Sequence, residues 1–191
     1  RPIGRGAYGE VWLARDAIGS FHAVKVVYRS SFRSDAPFER EFSGMQKYTP
    51  ISRNHPGWVH VLHVGKNEVR GCFYYIMELG DDEATGQEII PATYRPRSLA
   101  TEIEKRRRLP LEECLDLGIA LADALDYLHG QLLVHRDIKP SNVIFVHGAP
   151  KFADVGLVTE VRNRDHNVSL LGTEGYMAPE GPGTAVADRT A

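Results

Sequence analysis

Apolar and polar positions alternate through the first third of the chain. Residues 10–15 ("EVWLAR") and 22–28 ("HAVKVVY") carry the period of two that marks strands, and the turn between them holds Gly19, which predicts an antiparallel hairpin. Residues 37–48 change period. Phe38, Phe42 and Met45 fall at i, i+4 and i+7, the apolar face of a helix. Residues 58–64 and 72–79 read as two more strands, so the first 79 residues have the order β-β-α-β-β. Over residues 80–97 the periodicity disappears, with Gly86, Pro91 and Pro96 as breakers, and a linker or surface insertion is predicted. Residues 98–108 predict a short helix and 111–131 a longer one, with Leu117, Leu121, Leu125 and Leu128 on one side and Pro110 just before it. A charged loop, a strand at 143–146, a turn at 147–150 and a strand at 151–154 follow. Strands followed by helices indicate an α+β class, divided into residues 1–79, a connection at 80–97, and residues 98–191.

Composition narrows the field without choosing a function. The 191 residues are 42% hydrophobic and 25% charged, as in ordinary globular proteins, and can bury a core. A net charge of −2 gives no basic field for nucleic acid or anionic lipid. The one basic cluster, residues 105–108, reads as the solvated C-terminal end of a helix. Cys72 and Cys114 lie in apolar runs and read as small core residues, not as a disulfide framework. No apolar run approaches 18 residues and the first residues do not resemble a signal peptide, so a reducing, cytoplasmic setting is the expectation.

Candidate chemistry appears at both ends of this pattern. Gly4, Gly6 and Gly9 form a G-x-G-x-x-G. A dinucleotide-binding turn would need a helix directly afterwards, whereas a strand follows here. A strand–glycine turn–strand can lie over phosphates and offer backbone N–H groups to them, although a plain glycine-rich hairpin has the same sequence. Lys25 sits mid-strand in "AVKVV", where a lysine is costly unless paired; an edge position with a snorkelling side chain is the alternative. On the next helix Glu41 is a better partner than Glu39, because Met45 follows it by one turn and can pack inward. Residues 134–145, "VHRDIKPSNVIF", concentrate histidine, arginine, aspartate, lysine and asparagine immediately before a strand.

Taken in order, these residues resemble the eukaryotic-like protein kinases of the serine/threonine class, with a bacterial flavour. "HRDIKPSN" (135–142) resembles their catalytic loop, "DVG" (154–156) their metal-binding triplet, and "GTEGYMAPE" (172–180) the end of their activation segment. The resemblance runs from Ile3 to Glu180. It implies a bilobal fold, ATP and Mg2+ as cofactors, and protein substrates bearing serine or threonine. It further implies that Asp137 accepts the substrate hydroxyl proton and that Lys139 steadies the transferring phosphoryl group. Asn142 and Asp154 would hold magnesium; Lys25 would meet the phosphates with Glu41 holding it; Gly4, Gly6 and Gly9 would cover them. Ile3, Val11, Ala23, Met77 and Ile144 would enclose adenine, with the backbone of Glu78 and Gly80 along its edge. Thr173 would brace the catalytic loop, and His135 would be structural.

Two departures and one regulatory expectation complete the reading. Val155 stands where the family has phenylalanine, which predicts a looser contact with Met45. Thirteen residues separate Glu41 from His55, which predicts an extra loop there. The resemblance also implies helices beyond Asp188, so the sequence reads as a fragment of a catalytic domain. Among the hydroxyls of the activation segment, Ser169 is the expected phosphorylation switch and Arg136 its receiver. A nucleotide-binding pseudokinase, or an inactive truncated kinase acting as an interaction module, is the alternative function; pseudokinases typically lose the lysine, the catalytic aspartate or the metal aspartate, whereas Lys25, Asp137, Asn142 and Asp154 are all present. A small-molecule phosphotransferase is opposed by the "GTEGYMAPE" segment.

Overall fold

The computed structural model describes residues 1–6, 9–154, 159–160, 173 and 175–176. Its first part is a five-stranded sheet in the order β1-β2-β3-β5-β4, built from β1 (Pro2–Arg5), β2 (Gly9–Arg15), β3 (Phe21–Tyr28), β4 (Val61–Asn67) and β5 (Cys72–Met77). Every pairing is antiparallel. In β3 the period of two sends Ala23, Lys25 and Val27 to the buried face. That register places a lysine inside.

The helix α1 (Asp35–Arg53) packs against β4 and is longer than the periodicity predicts. Residues expected to form an extra loop after Glu41 instead continue this helix past Pro50. Proline removes one backbone donor there, and hydroxyls add bonds around it: Thr49 donates to the Met45 carbonyl at 2.7 Å and Ser52 to the Thr49 carbonyl at 2.8 Å. Ser52 Oγ also accepts from the Val61 N–H at 3.1 Å, fixing the start of β4. Trp58 and Val59, expected in that strand, pair elsewhere. They lie beside Phe152, whose carbonyl accepts from the Val59 N–H at 3.0 Å.

Residues 80–97 are no open linker. The Asp82 carboxylate accepts the N–H groups of Ala84, Thr85 and Arg95 at 2.8 to 2.9 Å, and the buried Tyr94 hydroxyl donates to the Gly80 carbonyl at 3.0 Å. An aspartate that binds nearby backbone replaces regular structure with an equally satisfied turn, which periodicity does not register. The helix α2 (Leu99–Arg106) follows from a Ser98/Thr101 capping box. The longer α3 (Leu111–Gly130) starts behind Pro110 and buries Leu117, Ala124 and Leu128. Cys114 corrects an expectation: it lies on the same side of the helix as those residues but in its first turn, where it is exposed.

After α3, β6 (Leu133–Val134) pairs with the backbone of β9 (Thr159–Glu160). The hairpin β7 (Val143–Val146) and β8 (Ala149–Phe152) turns at His147 and Gly148, both with positive φ (51° and 78°), so its turn is tighter than the four residues expected. Trp58 joins the two halves of the core. Its indole N–H donates to the Ala124 carbonyl at 3.0 Å, and its ring packs on Tyr48, Phe152 and His135.

Candidate active site

The loop after β6 converges on Asp137. Its Oδ1 accepts the Thr173 hydroxyl at 2.7 Å; its Oδ2 accepts the Asn142 side-chain amide at 2.8 Å and lies 2.8 Å from the Lys139 ammonium. Lys139 also donates to Thr173 Oγ1 at 2.6 Å, closing a ring of three side chains. Burial works to raise the Asp137 carboxyl, but the bonds from Lys139, Thr173 and Asn142 outweigh it and hold the group below the usual aspartate value. The carboxylate is charged and oriented. His135 beneath it is fully buried, and burial pushes its imidazole below the usual value. Its Nδ1 accepts the Asp137 N–H at 3.2 Å, which leaves Nε2 as the protonated nitrogen facing the Ala153 carbonyl at 3.4 Å. This neutral ring supports the loop.

Asp154 follows β8 with a positive φ of 55°, a conformation that costs an aspartate little and turns its side chain off the strand path. The side chain keeps 45% of its surface open, and its carboxylate pairs with the buried Lys25 ammonium. Crowding by protein works to raise the Asp154 carboxyl, but Lys25 holds it below the usual value. Burial opposes the Lys25 charge, while Tyr75, Asp154 and Glu41 keep its pKa above the ordinary lysine value. The ion-pair partner of Lys25 is thus Asp154 rather than the expected Glu41, which acts on the ammonium from farther away. Burial pushes Glu41 up to about 7 against the pull of Lys25. Glu39 is engaged elsewhere, with Arg29 at 3.2 Å and Lys66 at 3.1 Å.

Strand register gathers the remaining candidates. Val11 lies opposite Lys25, Ala23 opposite Met77, and Gly4 opposite Val11. Ile3 stands in β1. Gly6 N–H donates to the Gly9 carbonyl at 2.9 Å across the flap tip. A Cβ on Gly9 would meet the Val26 carbonyl oxygen at 1.9 Å, so only glycine lets the flap pack on β3. Gly80 packs against Ile144, close enough that a Cβ would come within 3.3 Å of its Cδ1. The Glu78 N–H is committed to the His60 carbonyl at 3.1 Å, which leaves the Glu78 carbonyl as the backbone group a ligand edge can meet. Arg136 is half-buried with φ 67°, and burial holds its guanidinium below the usual value. Ser169 and Val155 lie outside the described residues.

Sequence reasoning missed the buried charges beside this site, Lys151 and Asp81. Lys151 Nζ donates to Glu78 Oε2 at 2.7 Å, and the Asp81 carboxylate accepts the N–H groups of His147 and Gly148 at 2.9 and 2.7 Å. The signal that singled out Lys25, a lysine beside apolar residues in a strand, was present at Lys151 too.

Comparison with known proteins agrees with this geometry. The protein kinase domain family matches residues 1–186. The serine/threonine-protein kinase PknA of Mycobacterium tuberculosis is 32% identical over 94% of this chain. The serine/threonine-protein kinase AfsK of Streptomyces coelicolor and the ribosomal protein S6 kinase alpha-2 of Mus musculus are each 30% identical over 93% of it. The chain spans 40%, 20% and 22% of the lengths of these relatives. With the sheet, the helices and the Asp137 loop in the arrangement the sequence motifs implied, the chain belongs to the protein kinase domain family.

Proposed function

We propose that the protein containing this chain transfers the γ-phosphoryl group of ATP to serine and threonine hydroxyls of protein substrates. The observation that carries this reading is the ring of Asp137, Lys139 and Thr173, backed by Asn142. An ionised, oriented carboxylate can take the proton of an acceptor hydroxyl as its oxygen attacks the γ-phosphorus. The adjacent Lys139 ammonium offsets charge on the transferring oxygens. Lys25 is the cation for the α- and β-phosphates, and the flap of Gly4, Gly6 and Gly9 supplies backbone donors above them.

The donor set fits a hard divalent cation. Asp154 presents an open carboxylate, and Asn142, with its side-chain nitrogen bonded to both the Asp137 carbonyl and Oδ2, has its side-chain Oδ1 left to coordinate. The Ala153 N–H donates to the Asn142 backbone carbonyl at 2.7 Å, so the two ligand-bearing segments are tied together. Bound Mg2+ would neutralise phosphate charge and fix the γ-phosphoryl group in line. Ile3, Val11, Ala23, Met77 and Ile144 form the adenine sandwich in this reading, and Glu41 steadies Lys25. Among the described residues no helix is long and apolar enough to cross a membrane, and this catalytic part works on the cytoplasmic side, where ATP is supplied. Phosphorylated Ser169, received by Arg136, is its switch.

The test is transfer of γ-labelled phosphate from ATP to generic protein acceptors by the full-length protein, followed by phosphoamino-acid analysis. Label on serine and threonine is expected. Tight MgATP binding without transfer would replace this reading with that of a nucleotide-binding pseudokinase.

A further inference from the structure

Lys151 and Asp81 are 7% and 6% exposed, and phosphoryl transfer uses neither. Buried charges are costly to keep, and apolar residues of similar volume often serve stability as well or better. Their positions suggest what they do. The β7–β8 hairpin carries the two cation ligands at its base: Asn142 directly precedes β7, and Asp154 stands two residues after β8. The segment following β5 carries the adenine edge at Glu78 and Gly80. Side chains join these two parts at two points. Lys151, from β8, reaches Glu78 Oε2 at 2.7 Å, and the same oxygen accepts the His60 N–H at 2.9 Å. Asp81 holds the hairpin turn through His147 and Gly148, while its own N–H donates to the Phe145 carbonyl at 2.7 Å. One junction lies near each end of the hairpin.

We infer that the Lys151–Glu78 pair and the Asp81 turn clasp are positioning devices that set the distance between the adenine edge and the metal ligands. This inference rests on the nucleotide reading above. A nucleotide with its cation is a ligand of fixed reach. It gains from both ends only when the spacing matches, and misplacement of about 1 Å is enough to cost a large factor. Adenosine meets the hairpin only at Ile144 and does not reach the metal ligands, so it depends far less on that spacing. Lys151→Met removes the ammonium while keeping most of the side-chain volume. It leaves the Glu78 carboxylate short of its cation, held by His60 alone, and removes the side-chain tie between the segment and the hairpin.

The experiment uses the full-length protein, as wild type, Lys151→Met, Asp81→Asn and the double variant Lys151→Met/Glu78→Gln. Equilibrium affinities are measured for adenosine, for ATP with chelator, and for ATP with Mg2+, alongside amide hydrogen exchange over residues 78–82. Adenosine affinity should stay within about twofold, while the extra affinity that Mg2+ confers on ATP falls about tenfold in Lys151→Met. The double variant, which leaves no unpaired carboxylate, should recover much of that loss. Exchange at residues 78–82 should speed up in Lys151→Met alone. If Lys151→Met does not fold, Asp81→Asn, which forfeits one turn bond, carries the same expectation with a smaller factor. Affinities that all fall together, or that do not move, overturn the inference and leave the two charges as fold-stabilising groups. A wild-type protein that binds no ATP with Mg2+ overturns the nucleotide reading itself, and the untouched protein reports this separately.

Discussion

Asp137 has its charge and its orientation set by three neighbours, which separates its contribution from that of the proposed cation ligands, Asn142 and Asp154. Asp137→Asn keeps the shape but loses the proton acceptor, so turnover should fall by roughly 10²–10⁴-fold while ATP binding persists. Asp154→Asn should instead weaken ATP binding in the presence of Mg2+. ATP titrations with and without Mg2+, beside turnover, distinguish the two; full activity in Asp137→Asn would refute its role. Glu41 gives a prediction of different kind. Burial raises its carboxyl from 4.5 to about 7, with Lys25 pulling down and Asp154 pushing up. Between those values the folded state keeps a proton that the unfolded state has released, so this group's contribution to stability declines as pH rises from about 4.5 to about 7. Glu41→Gln should flatten that slope in urea melts taken from pH 5 to 8. An unchanged slope would place the raised carboxyl elsewhere.

Elements were legible where one side chain period dominated and obscure where local polar bonds did. The hairpin of β2 and β3 could be read from alternation, and α1 from its apolar face. The extension of α1 through Pro50 could not, since it depends on hydroxyls of Thr49 and Ser52 that bond to its carbonyls. Residues 80–97 looked irregular because Asp82 organises them through backbone N–H groups, which leave no hydrophobic period. In α3 the four leucines marked the correct face, but periodicity did not show that the first turn, with Cys114 on that same side, stays exposed, and a second stripe is apolar as well. Leu111, Leu115 and Ile119, at i, i+4 and i+8, are 74%, 55% and 69% exposed. An apolar stripe of that length favours association. The 191-residue chain should therefore form oligomers or precipitate when expressed alone, and Leu115→Gln with Ile119→Glu should raise the soluble monomer fraction severalfold in size-exclusion chromatography. A cooperative melt of an unmodified, monomeric chain would contradict this.

Across the whole molecule, the site is assembled from positions more than a hundred residues apart, and the sequence motifs disclosed the members better than the pairings. Lys25 was legible as a buried cation, yet its bond to Asp154, 129 residues away, depends on the sheet and the β7–β8 hairpin lying together. The link from Thr173 to Asp137 spans 36 residues and joins the end of the activation segment to the catalytic loop. That connection frames the last prediction. A segment running from Asp154 to Thr173 is anchored at both ends beside the chemistry, and Arg136 stands next to Asp137 half-buried, with burial already working against its charge. A phosphate adds about −1.5 to −2 charges and accepts paired guanidinium hydrogen bonds, so it would offset that cost and draw the segment onto the loop. Ser169, four residues before Thr173, is the proposed carrier. Mass spectrometry of full-length protein incubated with ATP should find phosphate there, and Ser169→Ala should lower activity about tenfold or more, with Arg136→Lys showing a similar loss because lysine cannot make the paired bonds. A Ser169→Ala protein as active as the wild type would assign the switch to another hydroxyl and leave Arg136 a packing residue.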